Sequence, residues 1–150
     1  MEIRRYKNND CETISHLFYE TVHSVNANDY KIEQISAWAS NADSLKSKHN
    51  DLLKQYTLIA EINGIIVGFG SINNSGYLDL LFVHKDYQKQ GIATTLCNEL
   101  EKGFSVIKTY ASITAKPFFE NRGYSVIKAQ EVERYGIKLK NYEMIKKNAT

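Results

Sequence analysis

The chain has one proline, two cysteines and almost no net charge, and each shortage narrows what it can do. Cys11 and Cys97 stand far apart, with no CxxC and no histidine spacing that would complete a metal site. Neither a disulfide framework nor zinc is expected, and a reducing cytoplasm is the default setting. Nineteen basic residues against 17 acidic ones leave +2 at pH 7, too even a balance to mark a nucleic-acid partner. No apolar run reaches membrane-spanning length, and the opening MEIRRYKNND has no apolar stretch for a signal peptide. The expectation is a cytoplasmic protein with no membrane or nucleic-acid partner. Pro117 is the only proline, and no linker, repeat or low-complexity block divides the sequence, so residues 1–150 are expected to form one domain.

What is present is 43% apolar and 24% charged residues, the mix of an ordinary globular protein. Ile3 to Tyr6 reads as a short strand. Ile14, Leu17, Phe18, Thr21, Val22 and Val25 then share one helical face, predicting a helix over 10–25 with Asp10 as its cap. Ile32 to Ala39 and Ser44 to Lys54, the latter capped by Asp43, read as two further helices. From Tyr56 the pattern turns to strands: YTLIAEI and IIVGFGSI flank Asn63-Gly64, a strong two-residue hairpin signal, and YLDLLFVH follows with enough apolar residues for a central strand. Ile92, Ala93, Leu96, Cys97, Leu100 and Phe104 predict a helix, and SVIKTYA another strand, giving a β-α-β unit whose strands run parallel. A short helix through ITAKPFFEN ends at Gly123, and SVIKA and NYEMIKK close the chain as an antiparallel pair joined by a polar 130–140 segment.

One further absence is the informative one. In YQKQGIATTL (87–96) a helix starts with no Ser, Thr or Asp cap and no acid in its first turn. The first N–H groups of a helix have no internal partner and carry partial positive charge. With Gly91 permitting close approach and Lys85 and Lys89 nearby, the cap is expected to be an external anion such as a diphosphate.

Gln88-x-x-Gly91-x-Ala93 after LLFVH resembles the Q/R-x-x-G-x-G/A signature of the GNAT superfamily of acyl-CoA N-acyltransferases. ASITAKPFFENRGY (111–124) is similar to the family's second signature, and the order of elements matches over essentially the whole chain. The resemblance implies an α/β (α+β) fold: a mixed, mostly antiparallel central sheet of six to seven strands, a splayed parallel β-α-β pair, and helices on both faces. It implies acetyl-CoA as cosubstrate and no metal. Backbone N–H groups of Gln88, Lys89, Gln90, Gly91, Ile92, Ala93 and Thr94 would hold the diphosphate, Phe82 and Val83 would offer backbone groups to the pantetheine arm, and Ser112 and Phe119 would meet the same arm and its sulfur end. Phe119 departs from the family, where many members carry a tyrosine whose hydroxyl protonates the departing thiolate. Water or another tyrosine must then serve, with Tyr142 favoured over Tyr30 and Tyr110.

Transfer to an amine needs a base, and Asp79, an acid inside an apolar strand on the face of Leu81 and Val83, is the candidate; pairing with a lysine is the competing reading. Glu61, at a hairpin end, is expected to be solvent-exposed. His23, Tyr30 and Trp38 cluster around a helix break and are expected to line the acceptor pocket, with core packing as the alternative. The leading function is an N-acetyltransferase acting on a primary amine of a small molecule or peptide. The alternatives are a non-catalytic acyl-CoA-binding module, favoured by Phe119, and a protein lysine or N-terminal acetyltransferase. The resemblance also allows a homodimer.

Overall fold

In the computed structural model, which describes residues 1–148, seven strands form one mixed sheet ordered β1-β2-β3-β4-β5-β7-β6. They are β1 (Glu2–Arg5), β2 (Tyr56–Ile62), β3 (Ile65–Ile72), β4 (Tyr77–Val83), β5 (Val106–Ser112), β6 (Ser125–Arg134) and β7 (Ile137–Lys147). Every neighbouring pair is antiparallel except β4 and β5, which are joined through helix α4 (Ile92–Leu100) and run parallel. Helices α1 (Cys11–Ser24), α2 (Ile32–Trp38) and α3 (His49–Lys54) cover one face, and α4 and α5 (Lys116–Asn121) the other.

Period-two alternation divides the core between these faces. Leu58 and Ala60 of β2 pack with Leu96, Leu100 and Met144 on the α4 side, while Ile59, between them, packs with Ile14, Phe18 and Leu52 on the α1 side. Strand β3 presents Gly70 beneath α4, where a Cβ would come within 2.7 Å of Leu100 Cδ1. Absence of a side chain there lets the last turn of α4 lie directly on the sheet, and Gly68, opposite Val83 at the end of β4, does the same for its first turn, where a Cβ would come within 3.0 Å of Ile92 Cγ2.

Four expectations need correction. Asp10 stands at the start of α1, but its carboxylate turns back to accept from Arg4 Nη1 and Nη2 and from the Lys7 N–H, all at 2.8 Å; the arginine outcompetes the helix. Asp43 likewise makes no cap bond, pairing with Lys46 at 2.9 Å, and residues 44–54 split into a 3-10 turn, Ser44–Lys48, followed by α3. Phe104 lies beyond α4, which ends at Leu100. The polar 130–140 segment is not a connection: β6 and β7 pair through it and turn at Tyr135-Gly136, both with positive φ (50° and 78°). As the edge strand, β6 is exposed along most of its length, so charged residues on it read as loop.

A candidate active site between two diverging strands

Strands β4 and β5 are paired only at Tyr77↔Lys108 and Leu78↔Thr109, with Thr109 Oγ1 donating to Leu78 O at 2.9 Å. From Asp79 onward they separate, because each is held by its other neighbour, β3 or β7. The gap opens into a cavity of about 920 Å³ whose walls include β4, the start of α4, the end of β5 and the β6-β7 hairpin. Backbone polar groups along a splayed strand have lost their ladder partners and must find others. Phe82 and Val83 both line the cavity, but the Val83 carbonyl is already occupied, accepting from Thr21 Oγ1 at 3.1 Å and from Gln88 Nε2 at 2.7 Å.

That second bond gives Gln88 a role the sequence did not disclose. Its amide spans the turn, also reaching His84 O at 3.4 Å, and so fixes the path from β4 into α4. After it, Lys89 (φ 60°) and Gly91 (φ 80°) take left-handed conformations, and α4 begins at Gly91 with no side-chain cap bond and no acid in its first turn. Alternating backbone hands turn successive N–H groups inward as an anion-binding concavity. A Cβ on Gly91 would meet no protein atom within 4 Å, so the positive φ, and not crowding within the protein, requires glycine. Lys89, Gly91, Ala93 and Thr94 line the cavity together with the buried Ile92, whereas Gln90 is exposed and off its wall. These donors suit a diphosphate.

Further along, Ser112 Oγ accepts from the Ala115 N–H at 3.0 Å and from Asn26 Nδ2 at 3.5 Å, holding the bend from β5 into α5 while facing the cavity. Phe119 is buried on the same wall, its ring 4.9 Å from that of Tyr124.

At the opposite end, Ser71 opposes Leu80 and Ile72 opposes Leu78, which leaves Asp79 as the extra residue of a β-bulge. Bulges re-aim side chains. Asp79 therefore does not share the face of Leu81 and Val83, which pack toward α4; it reaches Lys48 on the α1 side, with Nζ 3.2 Å from both carboxylate oxygens. Both residues line the cavity, so the lysine pairing weighed at the outset is real and sits inside the site. Tyr77 stands beside them and passed unnoticed in the sequence because ten tyrosines gave no reason to single it out. Burial, reinforced by the Asp79 carboxylate, pushes its hydroxyl up to about 12.

The expected acceptor residues separate. Trp38 lines the cavity between Tyr30 and Phe82, with ring centroids 5.6 and 6.3 Å away. Tyr30 also lines it, but its hydroxyl is committed, donating to Lys140 O at 2.7 Å and accepting from the Ile113 N–H at 2.9 Å. His23 is not on the wall: Nε2 donates to Ala39 O at 2.7 Å and ties α1 to the end of α2. Tyr142 is also off the wall, its ring flanked by the Lys116 and Lys140 ammonium groups at 5.0 and 5.4 Å, because alternation along β7 turns it toward the α4 face. Glu61 is half-buried instead of exposed, paired with Arg4 Nε at 2.6 Å away from the cavity. Among the described residues no cluster of His, Cys, Asp or Glu could hold a metal ion, and no helix is long and apolar enough to cross a membrane.

Comparisons with known proteins agree with this geometry. The family model for the acetyltransferase (GNAT) domain matches residues 26–146. An uncharacterized N-acetyltransferase of Escherichia coli strain K12, YafP, is 38% identical over 144 residues, covering 96% of this chain and 94% of that protein. A GCN5-related N-acetyltransferase structure from Rhodopseudomonas palustris superposes with a TM-score of 0.93 at 35% identity, over 98% of this chain and 95% of the other. The PaiA N-acetyltransferase of Thermoplasma acidophilum, solved with coenzyme A, shares the fold at 22% identity, with a TM-score of 0.77 and 98% of each chain covered. With the splayed strands, the uncapped helix start and these relatives in agreement, the chain belongs to the GNAT family of acetyltransferases.

Proposed function

We propose that the protein is an N-acetyltransferase that moves the acetyl group of acetyl-CoA to a primary amine of a small molecule or peptide. The observation carrying this reading is the pairing, within one cavity, of an uncapped helix start at one end and a carboxylate at the other. Backbone N–H groups from Lys89 to Thr94 hold the diphosphate, with the Lys89 side chain adding charge. The open edge of β4 near Phe82 takes the pantetheine arm, and Ser112 and Phe119 flank its sulfur end. Acetyl-CoA supplies the thioester carbonyl, and a neutral amine replaces its thiolate.

An alkylamine is mostly protonated at pH 7, so a proton must leave before attack. Asp79, aimed into the cavity by its bulge, accepts that proton directly or through one water. Lys48 fixes the carboxylate's orientation through both oxygens. Phe119 has no proton to give, Tyr30 has spent its hydroxyl on backbone bonds, and Tyr142 is off the wall. Of the three candidate tyrosines, Tyr110 is the one that lines the cavity with its hydroxyl uncommitted among the described residues, its ring 5.7 Å from that of Tyr77, so water or Tyr110 protonates the thiolate, which is a good leaving group and needs little help. A reducing cytoplasm suits the two free thiols, of which Cys97 is inert because burial pushes it up to about 12.

The Phe119 side chain favours a second reading, a non-catalytic acyl-CoA-binding module on the same scaffold. Incubating the protein with acetyl-CoA and a panel of primary amines, while following free thiol and acetylated amine, separates the two. Release of thiol in step with acetylated product is the expected result. Binding of acetyl-CoA with no thiol released in the presence of any amine would leave the binding module standing.

A further inference from the structure

The cavity has a wall rich in positive charge. Lys48, Arg134 and Lys140 line it, against the single carboxylate of Asp79, which Lys48 already holds. Arg134 is at the end of β6, and its Nη1 donates only to its neighbour's carbonyl, Glu133 O, at 3.3 Å; no carboxylate pairs with it among the described residues. Its charge reaches the Tyr77 hydroxyl next to Asp79, opposing the upward push from burial and from that carboxylate. Lys140 rests over the Tyr142 ring at 5.4 Å and is likewise without an acidic partner among the described residues.

A plain alkylammonium entering here would meet net positive charge. A molecule that brings its own anion would not. The same wall carries an independent sign of a ligand: Asn141 lines the cavity, and its Oδ1 is buried with no hydrogen-bond donor. A buried acceptor left without a donor is costly, so it marks a place where an incoming N–H would be welcome. Unpaired guanidinium and unpaired amide oxygen therefore call for opposite partners, an oxyanion and an N–H, on one small molecule. A guanidinium is also the side chain best shaped to grip a carboxylate or phosphonate through two bonds.

Resting on the N-acetyltransferase reading, we infer that the acceptor is a zwitterionic primary amine, in which the amine is joined to a carboxylate or phosphonate, and that Arg134 anchors its anionic end. The amine then lies toward Asp79, and Asn141 Oδ1 accepts an N–H from the same molecule. Arg134 touches the substrate's anion and not the reacting atoms, so it acts through substrate binding.

Matched pairs of amines test this by thiol release: phenylalanine against phenethylamine, 4-aminobutyrate against butylamine, and 2-aminoethylphosphonate against ethylamine. Wild-type protein is expected to prefer the anionic member of at least one pair by roughly 10-fold or more in kcat/KM, the scale of a hydrogen bond to a charged group. That preference should collapse in Arg134→Gln through KM, with kcat little changed, and return in part in Arg134→Lys. The phosphonate pair distinguishes a requirement for phosphorus from one for any oxyanion. Equal or better use of every plain amine, or a preference that survives Arg134→Gln, would overturn the inference while leaving the transferase reading intact. Binding of acetyl-CoA without transfer to any of the six amines would overturn the inference along with the proposed acceptor chemistry.

Discussion

Asp79→Asn is expected to reduce turnover at least ~100-fold while leaving acetyl-CoA affinity nearly unchanged, a loss of about 2.7 kcal/mol of transition-state stabilisation. The substitution preserves shape and removes only the ability to take a proton. The bulge in β4 turns Asp79 to the position the proposed proton transfer requires, and its side chain, 11% exposed, faces a cavity shared with Tyr77 and Lys48. The proposed diphosphate donors lie at the start of α4, on a different element, so cofactor affinity has no reason to follow turnover. Measuring kcat for amine acetylation and Kd for acetyl-CoA on the same preparation reads both. Wild-type turnover in the variant would reduce Asp79 to an anchor for Lys48.

The second large effect concerns stability. Glu101, at the end of α4 and 4% exposed, accepts from Arg122 Nε and Nη2 at 2.8 and 3.0 Å, from Lys146 Nζ at 2.8 Å and from the Tyr124 hydroxyl at 2.7 Å. Its carboxylate thereby joins α4 to the segment after α5 and to β7. Glu101→Gln removes the negative charge that two cations share and turns one of the two acceptor oxygens into an NH2 that faces donors, and is expected to cost roughly 3 kcal/mol, the scale for breaking a buried pair. For a chain of this length that corresponds to a melting point roughly 6–12 °C lower. Burial pushes the Glu101 carboxyl up, but the hydrogen bonds from Arg122, Lys146 and Tyr124 together outweigh it and hold the group below its ordinary value of 4.5. A depressed carboxyl stabilises the fold above its unfolded value and loses that contribution as pH falls through its folded value. The gap between wild type and Glu101→Gln should therefore be full at neutral pH and shrink below pH 4.5. Thermal melts at pH 7 and in the acid range read it, and a gap that stays constant with pH would mean that the network contributes packing alone.

Much of the fold was legible because its signals are local. Asn63-Gly64 took the positive φ values (52° and 78°) that a two-residue hairpin demands, and the alternation in YTLIAEI divided cleanly between two cores. The helix start at Gly91 was readable from what it lacked. What failed were features decided by distant partners. Asp10 and Asp43 have the right side chains at the right positions for capping, yet Arg4 and Lys46 claim them. The second half of β6, residues 130–134, looked like loop because an edge strand with two solvated faces carries no alternation. In the site, one inserted residue in β4 redirected Asp79 to the opposite layer from the one its spacing suggested, and nothing in the sequence announces a bulge. Trp38 and Tyr30 reached the cavity wall, while His23, only a short way along the chain, turned to a backbone carbonyl.

The central claim is that the α4 start and the splayed edge of β4 together bind acetyl-CoA. Calorimetric titration of the protein with acetyl-CoA, beside ATP and beside a folded Gly91→Glu variant, tests it most directly. The wild type should bind acetyl-CoA in preference to ATP, since only the former has a pantetheine arm for β4, and the variant should lose that binding because its carboxylate opposes the diphosphate. A folded wild-type protein that takes up no acetyl-CoA, or a folded Gly91→Glu variant that binds it as well as wild type, would contradict the account.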